Sequence, residues 1–219
     1  MAATYDDAAQ RAAYWPVPIA RAVPLAGLAI AIAFTAEHSP HFGLLAFGTF
    51  AVVNAFVLGI LAARRLGPSR TRPYFVTQAV VSLVLGIVAL AANAGSIGFL
   101  FLVATAFAAI TGLLELYSGF RTRQRFVAST DWLVIGGLTV IAAIVFLVIP
   151  PEYSQSFKDP DGVVRVLDSS VIVVGIIGAY AAIAAVYLVI AGLSAKWGTQ
   201  ANDPAETPDA IPAESESKA

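Results

Sequence analysis

The chain reads as an all-α membrane protein with six transmembrane helices set out as three repeated helical hairpins, and three observations predict this. Hydrophobic residues fill 58% of its 219 positions and charged residues only 12%, against about 25% charged in soluble domains. The apolar residues fall in six runs near the roughly 20 residues that cross a hydrocarbon core. Basic residues collect in alternate connections between those runs, as they do on the cytoplasmic side of membrane proteins. There is no cysteine, which excludes disulfides, thiolate metal sites and cysteine nucleophiles. Two histidines are too few for a histidine-built metal cage. A net charge of −1 with no basic face argues against nucleic acid as a partner. The expected partner is the bilayer, and no cofactor or metal is expected.

In chain order, residues 1–18 are polar and mixed in charge, with Asp6, Asp7 and Arg11, unlike the basic start of a cleavable signal peptide. The first apolar run, 22–36, is therefore expected to stay as a short first span. Pro24 is placed in its first turn, where a missing N–H costs least, and Arg21 is expected to snorkel to the headgroups. A polar turn at 37–41 leads to the second span, 42–62. Arg64, Arg65, Arg70 and Arg72 then mark a basic loop containing Gly67 and Pro68. The central hairpin follows, with runs at 75–92 and 97–117 around the Asn93-Ala94-Gly95-Ser96 break and with Arg121, Arg123 and Arg125 at its end. The fifth span, 132–150, stops at Pro150-Pro151, which cannot continue a helix. The loop 151–170 is the longest, and its Asp159-Pro160-Asp161-Gly162 turn between apolar runs predicts a small β-hairpin. That turn lacks the closing glutamate of a calcium loop. The sixth span is 171–193, and the Pro, Glu, Ala and Ser tail has too little apolar surface to fold.

This gives a cytoplasmic segment 1–18, a transmembrane domain 19–197 with hairpins at about 19–65, 73–123 and 131–197, and a disordered cytoplasmic tail 198–219. Eleven of the thirteen basic residues fall in the termini and the two arginine loops, with Lys158 and Arg165 the exceptions. Both termini are therefore expected in the cytoplasm. Trp15, Trp132 and Trp197 each flank a span on that side, as an interfacial belt requires.

A shift of 57 residues lays the first hairpin on the second, Phe50-Ala51 on Phe107-Ala108, Asn54 on Thr111 and Arg64 on Arg121; a shift of 73 then lays Phe107-Ala108 on Tyr180-Ala181. Each second helix carries small residues four apart at matching positions: Ala51 and Ala55, Ala108 and Gly112, Ala181 and Ala185. Small residues let helix backbones approach in lipid, so these are the expected packing seams, open to self-association or to another membrane protein.

The pattern Leu85-Gly86-Ile87-Val88-Ala89-Leu90 ending near Asn93, then Ile110-Thr111-Gly112-Leu113-Leu114-Glu115-Leu116 leading to Gly119-Phe120-Arg121, then Trp132-Leu133, resembles the HdeD-like family of small bacterial membrane proteins. The resemblance spans about 20–197, departing at Ala94, where a proline is expected, and in the long outer loop. It implies a six-helix inner-membrane protein linked to acid or general stress resistance, and it brings no catalytic residues.

Among single residues, Glu115 is the only acid inside an apolar run, which makes it a candidate for proton or cation handling. Its plainer reading is snorkelling, or pairing with an inner-loop arginine near Tyr117 and Arg121. Asn54 and Thr111 are expected to hydrogen-bond between helices, as are Thr77, Gln78, Ser82, Thr105 and Thr139, while Tyr180 and Tyr187 are expected to pack. On the outer face five acids stand against two basic residues. An unperturbed histidine titrates near ~6.5, so mild acid should charge His38 and His41 first. A protonated His38 paired with Glu37 would draw the first turn toward the 151–170 loop. Without a positioned base and nucleophile, the chain is not expected to be an enzyme. A structural or stress-response membrane protein is the favoured reading, with a small transporter or channel, or an accessory subunit of a larger membrane complex, as alternatives.

Overall fold

The computed structural model describes residues 10–64, 72–123, 125–158, 160–162 and 164–200. Six helices make up most of it: α1 Pro16–Ala33, α2 Pro40–Arg64, α3 Arg72–Ala91, α4 Ile97–Thr122, α5 Ser129–Val148 and α6 Ser169–Gln200. Strands β1 Ser154–Lys158 and β2 Val164–Asp168 lie between α5 and α6. A short helical stretch at 10–14 precedes α1, so the first span covers Gln10–Ala33. All six spans are long and apolar enough to cross a membrane. The shortest, at 20 residues, measures about 30 Å at 1.5 Å per residue, the thickness of a hydrocarbon core. This is a multi-pass α-helical membrane protein.

The side chains are sorted as lipid requires. Of an 18-residue apolar stretch in each span only 33–44% is buried, and the outward faces carry Val53, Phe56, Val84, Leu102, Ile141 and Ile183. The inward faces hold Asn54, Gln78, Ser82, Thr111, Glu115 and Thr139. Lipid tails solvate valine or leucine as well as a protein core does, whereas polar groups find partners only inside.

One end of the bundle, the arginine end, holds Arg121, Arg123 and Arg125 beyond α4 and the start of α1. The opposite hairpin end holds the turns before α2 and α4 and the two strands. All three helices that begin at the hairpin end are capped by a side chain. Ser39 Oγ accepts from Phe42 N at 3.2 Å, Ser96 Oγ from Phe99 N at 3.4 Å, and Asp168 Oδ1 from Val171 N at 3.0 Å, each satisfying an orphan donor of a first turn. The expected β-hairpin is present, antiparallel from Ser154↔Asp168 to Lys158↔Val164. Its turn contains Gly162 at φ 77, a conformation glycine adopts without penalty. The hairpin is tied to the start of α6, where Ser169 N and Oγ donate to Tyr153 O at 3.0 Å and Pro151 O at 2.6 Å.

The closest helix packing runs α2 with α3, α4 with α5, and α1 with α6. These are pairs joined through the arginine end or closed by the chain ends, rather than the hairpins 19–65, 73–123 and 131–197. Glycine sets the approach: a methyl group added at Gly136 would stand 2.6 Å from Leu116 N and 3.0 Å from Gly112 O, and one at Gly86 would stand 2.9 Å from Val52 N. Ala51, Ala55, Ala108, Gly112, Ala181 and Ala185 are all buried, and Gly112 meets the α5 backbone at Val140 N.

Three expectations from the sequence are corrected. The first helix begins at Pro16, with a proline at its first or second position, so Pro24 lies in the helix interior and not in a first turn. Trp132 is fully buried, packed 4.7 Å from Phe75 and 5.3 Å from Phe126 between ring centroids, and is a core residue rather than part of a belt. Trp197 is exposed, and Trp15 lies under the Lys196 ammonium at 5.0 Å, a cation–π contact. Helix α6 continues to Gln200, past the expected tail boundary at 198. The basic residues Arg65 and Arg70, with Gly67 and Pro68, lie outside the described residues, as do 1–9 and 201–219.

Candidate functional site: a buried charge cluster at the arginine end

Glu115 stands on the inward face of α4 and is 2% exposed. Tyr117 and Arg121, two and six residues on, lie far around a helix of 3.6 residues per turn and are exposed. Glu115 therefore neither snorkels nor pairs with Arg121, which instead donates to Tyr117 Oη at 3.1 Å. Its partner is Arg21 of α1, whose Nη2 lies 2.6 Å from Glu115 Oε1. Gln78 of α3 donates from Nε2 to Glu115 Oε2 at 3.3 Å. Arg21 is 5% exposed, so its expected snorkelling is corrected as well. The pair is neutral overall, and it joins α1, α3 and α4 at one point.

Apart from Glu115 Oε1, which the ion pair engages, four buried polar atoms around this point make no well-formed hydrogen bond: Arg21 Nη1 and Gln78 Oε1, and Tyr14 Oη and Trp132 Nε1, which face each other only loosely. Tyr14, just ahead of α1, is in electrostatic range of Arg21, Glu115 and Asp131. Asp131, in the first turn of α5, accepts from Tyr187 Oη of α6 at 3.1 Å. A groove of about 330 Å³ opens beside them, with Arg11, Tyr14, Asp131, Tyr187 and Ser194 among its lining residues.

Toward the hairpin end the polar character thins. Asn54 Nδ2 reaches Ser82 Oγ at 3.5 Å across α2 and α3, and Ser82 Oγ donates to Gln78 O at 2.8 Å. Thr139 Oγ1 donates to Ile135 O at 2.7 Å and lies 2.8 Å from Tyr180 Oη, so Tyr180 and Tyr187 each bond as well as pack. Thr111 differs from expectation, since its hydroxyl donates to Phe107 O of its own helix at 2.7 Å; a threonine can reach back one turn more easily than across a helix gap. Thr77 faces outward and is exposed. Beyond this layer Phe47, Phe50 and Phe107 stack edge to face, with Phe47 and Phe107 5.2 Å apart. They border an almost wholly apolar cavity of about 20 Å³, room for one water at most.

No protein-family model, curated protein or solved structure matches this chain.

The histidines stand apart from the cluster, at the hairpin end. His41 Nδ1 is 2.9 Å from Asn93 O and His38 Nδ1 is 3.3 Å from Ala36 O; a carbonyl can only accept, so each Nδ1 carries a proton. Glu37 Oε1 accepts from Ser39 Oγ at 2.6 Å and not from His38. His41 thus ties α2 to the turn before α4 rather than to the β-hairpin. Among the described residues no group of three His, Asp or Glu side chains is placed to hold a metal ion.

Sequence reasoning singled out Glu115 and missed Arg21, Tyr14 and Asp131 as its neighbours. The available signal was a basic residue bordering an apolar run on α1, with Gln78 and Ser82 four apart on α3, marking one polar helix stripe.

Proposed function

We propose that this is a non-enzymatic protein of the bacterial inner membrane, of the HdeD-like kind, with a structural role in acid or general stress resistance and with both termini in the cytoplasm. The observation that supports this best is the Arg21–Glu115–Gln78 tie. The interior carboxylate is engaged by two partners from two other helices, and the bundle beyond it is filled by phenylalanines around about 20 Å³ of space. A carboxylate so held braces the bundle, whereas transport requires a passage that opens to both sides. The 57-residue correspondence in sequence fits a bundle assembled from repeated hairpins, with the arginine end inward. A role as an accessory subunit is favoured by one further observation, an apolar groove of about 570 Å³ between α1 and α2 that Val23, Ala31, Leu45 and Val53 line.

Two measurements test the proposal. Deleting the gene from its host should lower survival of acid challenge, with rescue by the intact gene; unchanged survival would remove the stress role. Proteoliposomes of the pure protein should hold an imposed pH gradient as long as protein-free vesicles do. A gradient that collapses in them and is restored by Glu115→Gln would replace the structural reading with transport.

A further inference from the structure

We propose that the groove at the arginine end is a one-sided water inlet, and that it supplies a water site at Arg21 Nη1, Gln78 Oε1, Tyr14 Oη and Trp132 Nε1. This goes beyond the structural role and does not depend on the family resemblance. Tyr14 links the two features: it lines the groove, it is only 2% exposed, and its hydroxyl, beside Trp132 and Asp131, makes no well-formed hydrogen bond. The other three residues of the cluster are buried too, with Arg21 5%, Gln78 4% and Trp132 0% exposed. Four such atoms in one cluster are far from the norm for buried polar groups, which are almost all satisfied.

The donor and acceptor pattern selects the ligand. The guanidinium and the indole nitrogen can only donate, the amide oxygen can only accept, and the tyrosine hydroxyl does either. An anion would satisfy the donors but leave Gln78 Oε1 unmet and would face the Glu115 carboxylate. A cation would serve Gln78 and Tyr14 but would face the Arg21 guanidinium. A neutral ligand that both donates and accepts fits all four, and water is the one small enough to bind with about three such bonds in a buried site. Ionisable side chains within spans commonly face water-filled cavities. Toward the hairpin end the inlet stops at the Phe47, Phe50 and Phe107 stack, so water reaches the ion pair from one side.

The chain has no cysteine, so single thiols report access cleanly. Cysteines are placed at Ser194 on the groove wall, at Gln78 in the cluster and at Ala142 beside the apolar cavity, in sealed vesicles of known orientation. Each is exposed to silver ion, which is near water in size, and later blocking of maleimide labelling is read after solubilisation. Silver added on the arginine side should block the Ser194→Cys and Gln78→Cys thiols, the latter at least tenfold faster than Ala142→Cys. Blocking at Gln78→Cys as slow as at Ala142→Cys, or faster from the hairpin side, would overturn the inlet. If Gln78→Cys does not fold, the paired change Trp15→Phe with Trp197→Phe leaves Trp132 as the sole tryptophan. Its emission should then gain intensity in D2O relative to H2O, and equal intensity in the two solvents would overturn the water site.

Discussion

Replacing Glu115 by glutamine leaves the Arg21 guanidinium without a counter-charge in a site 5% exposed. Breaking one side of a buried pair costs about 3–5 kcal/mol, whereas replacing both partners by apolar residues is often close to neutral. We therefore expect Glu115→Gln and Arg21→Leu each to lower thermal stability in detergent markedly, and the double change Arg21→Leu with Glu115→Leu to recover most of the loss. Additive losses in that cycle would mean that the two groups do not act as a pair. At this scale the sequence was half legible. Glu115 stood out because an acid inside an apolar run is rare, but its partner could not be read. The nearest arginine along the chain, Arg121, points away around the helix, and the one that meets it comes from a helix far off in sequence. Thr111 shows the same limit, because composition marks it as polar and only geometry decides whether its hydroxyl turns back to Phe107 O or crosses to a neighbour.

Among the elements, helix seams and caps make the sharpest predictions. Gly136→Ala would force a methyl group to within 2.6 Å of Leu116 N, a backbone atom that cannot step aside, so α4 and α5 must separate. Overpacking of this kind costs about 1–3 kcal/mol. Gly137→Ala, with nothing within 4 Å, should be neutral or gain up to about 1 kcal/mol from helix propensity. Melting the two variants side by side checks this, and equal melting temperatures would show that the seam is not glycine-set.

The cap of α6 carries a pH signature. The Ser170 hydroxyl, and then the Val171 N–H, hold the Asp168 carboxyl below the usual carboxylate range. Because its value is depressed in the folded state, its contribution is present in full above the ordinary carboxylate pKa of ~3.9 and is lost as pH falls through the lower folded value. Amide exchange at Val171 should therefore stay slow from pH 7 down to about 4, and Asp168→Ala should speed it throughout that range, at a cost of about 0.5–2 kcal/mol. Protection already lost by pH 5 would contradict this. The strand-turn-strand here was legible because Asp-Pro-Asp-Gly between apolar runs is local chemistry. The start of α1 was not, because Pro16 and Pro18 resemble a break in sequence and serve as a helix opening in structure.

Across the whole molecule, the spans turn polar groups inward and apolar groups outward, and every one of the six is long enough to cross a bilayer. Six runs of apolar residues made that much legible, since hydropathy acts residue by residue. The pairing of α1 with α6 was hidden, because it joins the two ends of the chain and leaves no trace in any local pattern. The site, its water inlet and the sorting of side chains all require the chain to cross the membrane six times, with the arginine end on one side and the hairpin end on the other. Single cysteines at Ala12, at Ser39 and at Ser154, tested in intact cells with an impermeant maleimide, address this directly. Labelling of Ser39→Cys and Ser154→Cys from outside, with Ala12→Cys labelled only after the cells are opened, is the predicted result; labelling of Ala12→Cys in intact cells, or of Ser39→Cys and Ser154→Cys on opposite sides, would contradict it.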